Sequence, residues 1–235
     1  MLPLFYSENT NDVHSSIILE EDTSKHVVQV LRMKIGQQLQ LTDGRGTLFD
    51  CEITNDHKKS VEVKVQATKH NEQGGTRNTI AISLLKNANR FEWFLEKATE
   101  VGITEFIPML CERTERQHFR IERMKSILVS AMIQSKQYWL PILHEPISFR
   151  QVVDSSSHQQ KFIAHCMEQQ KNNIGELLKR EAASRIMLIG PEGDFTSDEV
   201  TLATQQKFTA VSLGETRLRT ETAGVVAATL LMLAK

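Results

Sequence analysis

Two short segments hold residue types and spacings suited to chemistry. Gly190-Pro191-Glu192-Gly193 follows the apolar run Ile186 to Ile189 and precedes a helix start, where Thr196 and Glu199 have capping-box spacing and Phe195 and Val200 can close a hydrophobic staple. In an open α/β sheet ligands bind outside the carboxyl ends of strands, where this loop falls. The loop is not a phosphate-binding P-loop: no Gly-Lys-Ser/Thr follows, and Glu192 and Asp194 would repel a phosphate. The same residues also make a sound strand-to-helix connection without any ligand. The second segment, Leu213-Gly214-Glu215-Thr216-Arg217-Leu218-Arg219-Thr220-Glu221-Thr222-Ala223-Gly224, sets two arginines and two glutamates beside a small-residue helix start, more charge than a turn requires. Surface pairing of Arg217 and Arg219 with Glu215 and Glu221 is the plainer account, and such pairs contribute little.

A third feature is basic. Arg116, Arg120 and Arg123 recur at i, i+4 and i+7, flanked by Arg113 and Lys125, a spacing that on a helix would track a nucleic-acid backbone. Glu112, Glu115 and Glu122 lie among them, so a solvated helix face fits as well.

Other chemistries lack their motifs. No G-x-G-x-x-G follows the run Ile80 to Leu85, and there is neither a G-x-S-x-G elbow nor an H-E-x-x-H helix. The histidines are scattered, and His165, at the end of an expected strand, is the exception kept open. Cys51, Cys111 and Cys166 form no C-x-x-C pair and have no histidine at zinc-ligand spacing, so no metal is expected and a reducing compartment is. With 235 residues, 28 basic against 29 acidic groups and 40% hydrophobic composition, the chain reads as globular, with a sizeable core. Its apolar tail, Ala223 to Ala234, falls short of the roughly 20 residues needed to cross a bilayer, and no basic n-region opens a signal peptide. No membrane association and a cytoplasmic location are expected.

The elements that must position these segments divide near residue 73. Up to there, Gln38 to Thr42, Thr47 to Thr54 and Ser60 to Ala67 alternate as half-buried strands around the turn Asp43-Gly44-Arg45-Gly46. A helix with Val27, Val30 and Leu31 at helical spacing follows Asp22, Thr23 or Ser24. Asn71 to Thr76 reads as a linker. Beyond it, Ile80 to Leu85, Phe106 to Leu110, Phe162 to Cys166, Ile186 to Ile189 and Ala210 to Leu213 alternate with amphipathic helices, which predicts an α/β domain with a mostly parallel sheet. One helix carries Phe91, Phe94, Leu95, Ala98 and Val101 on a single face and stops at Gly102; others are expected over 119–136 and 222–234. Ser155 to Gln160 reads as a surface loop.

Taken together, Gly190-Pro191-Glu192-Gly193 before a capped helix and Leu213-Gly214 with Leu218-Arg219-Thr220-Glu221-Thr222-Ala223 before a terminal helix resemble the knotted SPOUT methyltransferases, and most closely the 16S ribosomal RNA uridine N3-methyltransferase family (RsmE). His26 to Lys34 and Asp43 to Gly46 are similar to that family's PUA-like β-barrel domain. Glu92, Lys97 to Gly102, Pro108, Glu112-Arg113-Thr114 and Gln134-Ser135 match further motifs in order, so the likeness covers nearly the whole chain. It departs at Asp194, where the family commonly has another glycine, and at Glu215-Thr216-Arg217, in place of a common Pro-Arg-Ile.

The resemblance implies a PUA-like RNA-binding domain over 1–73 and, over 74–235, a SPOUT α/β domain with a C-terminal trefoil knot, acting as a homodimer on 16S ribosomal RNA or the small ribosomal subunit with S-adenosylmethionine. It places the cofactor on His165, Ile189, Gly190, Pro191, Glu192, Gly193, Leu213, Gly214, Leu218, Arg219, Thr220 and Ala223. Uracil N3 must lose its proton before it can be methylated, which makes Glu192 and Glu221 candidate bases and Arg219 a donor to the charged carbonyl oxygen. Residues 1–73 hold 8 basic against 11 acidic residues, so RNA contact there needs a local patch, Lys25, Arg32, Lys34 and Arg45, joined by Arg113, Arg116, Arg120 and Arg123. The rival expectations are an RNA-binding module without transfer activity, or a methyltransferase acting on another nucleotide.

Overall fold

The computed structural model describes residues 2–8, 10, 15–115, 118–167 and 171–234. Its chain forms two compact units, Met1–Gly74 with Met132–Leu140, and Gly75–Ala131 with Pro141–Lys235.

In the first unit β1 (Leu4–Tyr6), β2 (Ser16–Ile18), α1 (Glu21–Lys25), β3 (Gln38–Thr42), β4 (Thr47–Asn55) and β5 (Glu62–His70) follow in order. The strands make one five-stranded sheet, β1-β3-β4-β5-β2, in which only β1 and β3 run parallel. Leu39, Leu41, Cys51, Ile53, Val63 and Val65 point from alternate positions into a single core with Val27 and Val61. Helix α1 continues into a π turn over His26–Val30. The wider turn shifts the face: Val27 is buried, but Val30 and Leu31, expected to pack inward, are 65% and 43% exposed.

The β3–β4 turn is built by its own residues. Asp43 Oδ1 accepts hydrogen bonds from the Arg45 and Thr47 amides, and Gly44 and Gly46 both have positive φ. A side chain at Gly46 would meet Trp139 at 2.5 Å, because Met132–Leu140 lies over this turn. Trp139 Nε1 donates to Asn71 O at 2.8 Å, so the start of the expected linker is anchored. No local pattern predicts where that later segment docks, since its partners lie far away in sequence.

The second unit contains β6 (Arg77–Ser83), α2 (Ala88–Val101), β7 (Glu105–Leu110), α3 (Ile121–Gln134) as far as Ala131, β8 (Ile142–Leu143), β9 (Ile147–Ser148), α4 (Phe149–Ser155), β10 (Gln160–Ala164), β11 (Asn172–Asn173), α5 (Ile174–Leu177), β12 (Ser184–Ile189), α6 (Ser197–Gln205), β13 (Thr209–Ser212) and α7 (Thr220–Leu233). Seven strands are ordered β11-β13-β10-β12-β6-β7-β8, with β9 also on β7, and every pairing is parallel. Helices cover both faces, so β6 and β12 are buried almost throughout, with apolar centres at Ile80 to Ile82 and Ile186 to Ile189. On one face Ala81, Ile163, Ile186 and Leu188 pack with Phe149, Val152 and Val153 of α4, and with Val200 and Ala203 of α6. On the other, α2 and α7 pack on each other and α7 on β6. Gly224 permits that approach, since a Cβ there would lie 2.6 Å from the Phe94 ring and 3.0 Å from Ile82. Helix α2 starts at Asn87, whose side chain accepts from the Asn89 amide, and ends at Gly102 with φ +107°.

Two further expectations fail. The arginine stripe is not a helix face: Arg113 sits in a turn, Arg120 precedes α3, Arg123 is in its first turn, and Arg116 lies outside the described residues. Residues 112–113 form a turn instead, with Thr114 Oγ1 accepting from the Cys111 amide. Nor is Ser155 to Gln160 only a surface loop. His158 is 9% exposed and its Nε2 lies 2.9 Å from Thr79 Oγ1. Glu105 Oε2 accepts from Thr79 Oγ1 at 2.6 Å and its Oε1 lies 2.7 Å from His144 Nε2, which forms a buried polar network at the amino ends of the strands.

Candidate active site

The carboxyl ends of β10, β12 and β13 open onto a cavity of about 740 Å³. Its walls are Ala164 to Cys166 after β10, Ile189 to Glu192 and Asp194 after β12, Val211 to Arg219 after β13, and Thr220 and Ala223 from the first turns of α7. Arg90 of α2 and Lys171 complete it. Parallel strands end together at one edge, so three connections distant in sequence meet there.

The loop after β12 is shaped by its neighbours. A side chain at Gly190 would crowd the Phe195 ring at 3.1 Å, and Phe195 is itself fully buried. Thr196 caps α6 with Glu199 in a complete capping box, and Glu199 Oε1 also accepts from the Glu112 amide. Gly193 does not line the cavity; its carbonyl accepts from Arg113 Nη1 at 2.7 Å, so Arg113 supports the loop from behind. Asp194 closes the turn through its amide to Pro191 O, at φ +62°. Its Oδ1 accepts from the Phe195 amide and its Oδ2 from the Cys166 amide, tying the β12 loop to the β10 loop.

His165 stands out among the polar groups. The residue is 7% exposed and lines the cavity, yet among the described residues neither ring nitrogen has a hydrogen-bond partner. Burial lowers its pKa from the ordinary histidine value, the charge of Lys171 lowers it further, and Asp194 opposes both. An unpartnered buried imidazole is costly unless a ligand meets it.

The remaining expected residues separate into two sets. Ile189, Gly190, Pro191, Glu192, Leu213, Gly214, Leu218, Arg219, Thr220 and Ala223 all line the cavity with His165. Glu192 is exposed, with Oε1 accepting from the Lys86 amide at 3.2 Å. Arg219 is exposed at the amino end of α7 and makes no ion pair among the described residues. Glu221 is not on the cavity wall and pairs with neither Arg217 nor Arg219. It is 7% exposed, with Oε1 3.6 Å from Arg90 Nε and Oε2 unpartnered among the described residues. Glu221 therefore holds Arg90, which does line the cavity. Arg90, Lys171 and Asp194 escaped sequence reasoning; the signal available for Arg90 was a cation at a helix start just after a strand end.

The expected RNA contacts belong to both units. In the first unit Lys25 pairs with Glu21 at 2.9 Å, Lys34 with Asp56 at 3.4 Å, Arg32 is exposed at φ +55° after the π turn, and Arg45 is exposed at the tip of the β3–β4 turn. In the second, Arg123 pairs with Glu92 at 2.9 Å and Arg120 Nε reaches His118 Nε2 at 3.4 Å.

Known proteins share this fold. An RNA methyltransferase domain model matches residues 72–232, and an RNA methyltransferase PUA domain model matches residues 19–66. A probable rRNA-methyltransferase from Porphyromonas gingivalis superposes with a TM-score of 0.91 at 36% identity, over 99% of this chain and 98% of its own. A ribosomal RNA small subunit methyltransferase E from Neisseria gonorrhoeae, solved bound to S-adenosyl methionine, superposes at 0.89 with 26% identity, over 99% and 98% of the two chains. The protein of that same name from Synechocystis is 29% identical over 92% of this chain and 72% of its own. A domain match over more than half the sequence, joined to likeness along its whole length, means that the chain belongs to the RNA methyltransferase family that includes ribosomal RNA small subunit methyltransferase E.

Proposed function

We propose that this protein methylates N3 of a uridine in 16S ribosomal RNA of the small subunit, using S-adenosylmethionine. The observation that carries the reading is the cavity at the strand ends, with His165 buried and unpartnered on its wall among the described residues and Arg219 exposed at its rim. Its volume is within the roughly 300–1,000 Å³ usual for small-molecule sites. The residues present fit the cofactor: backbone from Ile189 to Glu192 and Leu213-Gly214 offers donors and acceptors, and the neutral imidazole of His165 offers one of each. Bound there, S-adenosylmethionine supplies an electrophilic methyl group on a sulfonium.

The chain's own residues must then orient and deprotonate the base. Arg219 can donate hydrogen bonds to a uracil carbonyl oxygen as negative charge develops on it, the kind of electrostatic stabilisation that is strongest in the transition state. Glu192, on the wall and exposed, is positioned to accept the N3 proton. Glu221, behind the wall, serves better by holding Arg90. Lys25, Arg32, Lys34 and Arg45 of the first unit, with Arg113, Arg116, Arg120 and Arg123, are proposed to meet RNA phosphates; several are already paired to acids, which favours a shaped ribonucleoprotein surface over a naked strand.

The trefoil knot is proposed on the chain path: α7 leaves β13 near one edge of the sheet and packs on β6 and α2, beyond β10 and β12. A homodimer is proposed because Trp93 of α2 and Leu233 of α7 are 43% and 73% exposed on two helices that pack together. Free Cys51, Cys111 and Cys166 suit a cytoplasmic setting, and among the described residues no helix is long and apolar enough to cross a membrane.

The test is transfer of labelled methyl from S-adenosylmethionine to undermodified small ribosomal subunits, followed by nucleoside digestion. Label in 3-methyluridine supports the reading. Cofactor binding without transfer to any RNA favours the binding-module alternative, and label in another nucleoside moves the target.

A further inference from the structure

Among the described residues four non-glycine positions have positive φ: Arg32, Lys136, Asp194 and Lys207. Arg32, Lys136 and Lys207 each follow the end of a helical segment, where a left-handed residue is commonplace. Asp194, at φ +62°, does not; it stands in the loop after β12, on the cavity wall. A side chain in this conformation costs energy that glycine would avoid, and aspartate lowers the cost only when its carboxylate bonds locally. Here it does more than that. Oδ1 accepts from its own neighbour, the Phe195 amide, at 2.9 Å, while Oδ2 accepts from the Cys166 amide at 2.8 Å, 28 residues away. The second bond reaches the residue directly after His165, whose backbone leaves β10 at Ala164.

We infer that Asp194 is a positioning residue, a clamp that holds the loop after β10 against the loop after β12 and so presents His165 to the ligand. Three facts support it. The two strands pair up to Ala164 and Ile189 and no further, so the ladder itself does not hold the loops together. Cys166 is exposed, so its amide would go to water if the carboxylate were absent. His165 has no side-chain bond among the described residues to fix its orientation, which leaves that task to the backbone on either side. Both bonds made by Asp194 are to an ionised acceptor and are the stronger for it. A loop held in its binding conformation spares the ligand the cost of selecting it from a population.

The inference rests on the reading that this cavity takes S-adenosylmethionine, and the experiment separates the two. Amide hydrogen exchange is measured by NMR on the full-length protein without ligand, and S-adenosylmethionine binding by calorimetry, for wild type, Asp194→Gly and Asp194→Asn. Glycine relieves the backbone and removes the clamp, so Asp194→Gly should stay folded. It should exchange the Cys166 amide about tenfold faster and bind S-adenosylmethionine about tenfold more weakly. In steady-state assays its loss should fall more on the KM for S-adenosylmethionine than on kcat. The Asp194→Asn variant keeps one acceptor oxygen and should fall between. Unchanged Cys166 exchange in Asp194→Gly overturns the clamp; faster exchange with wild-type affinity overturns its role in binding. A wild-type protein that does not bind S-adenosylmethionine defeats the proposed function instead, and Cys166 exchange alone then decides whether the clamp exists.

Discussion

The two ends of the same parallel sheet are built on opposite principles. At the amino ends, Glu105 is buried with its two oxygens facing His144, Thr79, His158 and Arg77, and Arg185, 1% exposed, gives its guanidinium to Gln160 Oε1 and to the Arg180 and Ala234 carbonyls. At the carboxyl ends, among the described residues, His165 is buried with nothing to bond and Arg219 extends without an ion pair. Buried polar groups that are satisfied hold a fold together, whereas those left open, in a cavity, are held ready for something else. Chemical composition does not separate the ends, since both mix histidine, arginine and carboxylate. Partnership does.

Breaking the closed end should cost stability and spare the open one. Glu105→Ala leaves Thr79 and His144 without their acceptor, and chemical denaturation should register a loss of about 3 kcal/mol, with S-adenosylmethionine affinity nearly unchanged. Acid sharpens the same point. Burial would raise the Glu105 pKa, but hydrogen bonds from His158, Thr79 and His144 and the charge of Arg77 bring it down to about 2. A carboxylate with a depressed folded-state value stabilises the protein above its unfolded value, near pH 4.5, and loses that contribution as pH falls toward 2. Unfolding free energy measured from pH 6 to 3 (about the accessible window) should drop for wild type and be flatter for Glu105→Gln.

Breaking the open end should do the reverse. Arg219→Ala is expected to lower kcat by about 100-fold while the S-adenosylmethionine dissociation constant moves about threefold or less. Equal losses in both would remove Arg219 from the transition state and leave it a binding residue. Melting temperature should barely change, since Arg219 is exposed and makes no ion pair among the described residues.

A smaller effect links the ends through α7. Gly224→Ala forces a methyl group against Phe94 and Ile82, and even after the better helix propensity of alanine is counted it should cost about 1–2 kcal/mol. Because Thr220 and Ala223 of the same helix line the cavity, cofactor affinity should fall with it. A stable variant with full affinity would show that α7 shifts without consequence.

The smallest expected signal is the titration of His165. Burial, with Lys171, holds its pKa below the ordinary histidine value, so the folded state resists protonation more than the unfolded state. Its contribution to stability is thus present above the unfolded value and is lost as pH falls below it. NMR should find the imidazole neutral at pH 7, and Asp194→Asn should lower its pKa further by removing the one charge that favours the protonated form.

Much of this was legible in the residues themselves. Period-two alternation in Leu39, Leu41, Cys51 and Ile53, and the apolar runs of β6 and β12, specified strands because burial on one face or two leaves that pattern in any sequence. The Thr196–Glu199 capping box and the Gly102 stop are equally local, and both formed. The glycine loop and the start of α7 could be named as site residues because each is a contiguous motif. What no local pattern carries is which distant residues meet. Arg90, Lys171 and the Asp194–Cys166 bond come together only because parallel strands separated by helices end at one edge, and the Glu105–His158 network only because they begin at the other. The π turn at His26 and the docking of Trp139 on Gly46 belong to the same class. Local sequence determines the elements through backbone preference and periodic burial; the sheet order decides which of their ends share a cavity, and that depends on packing summed over the whole domain.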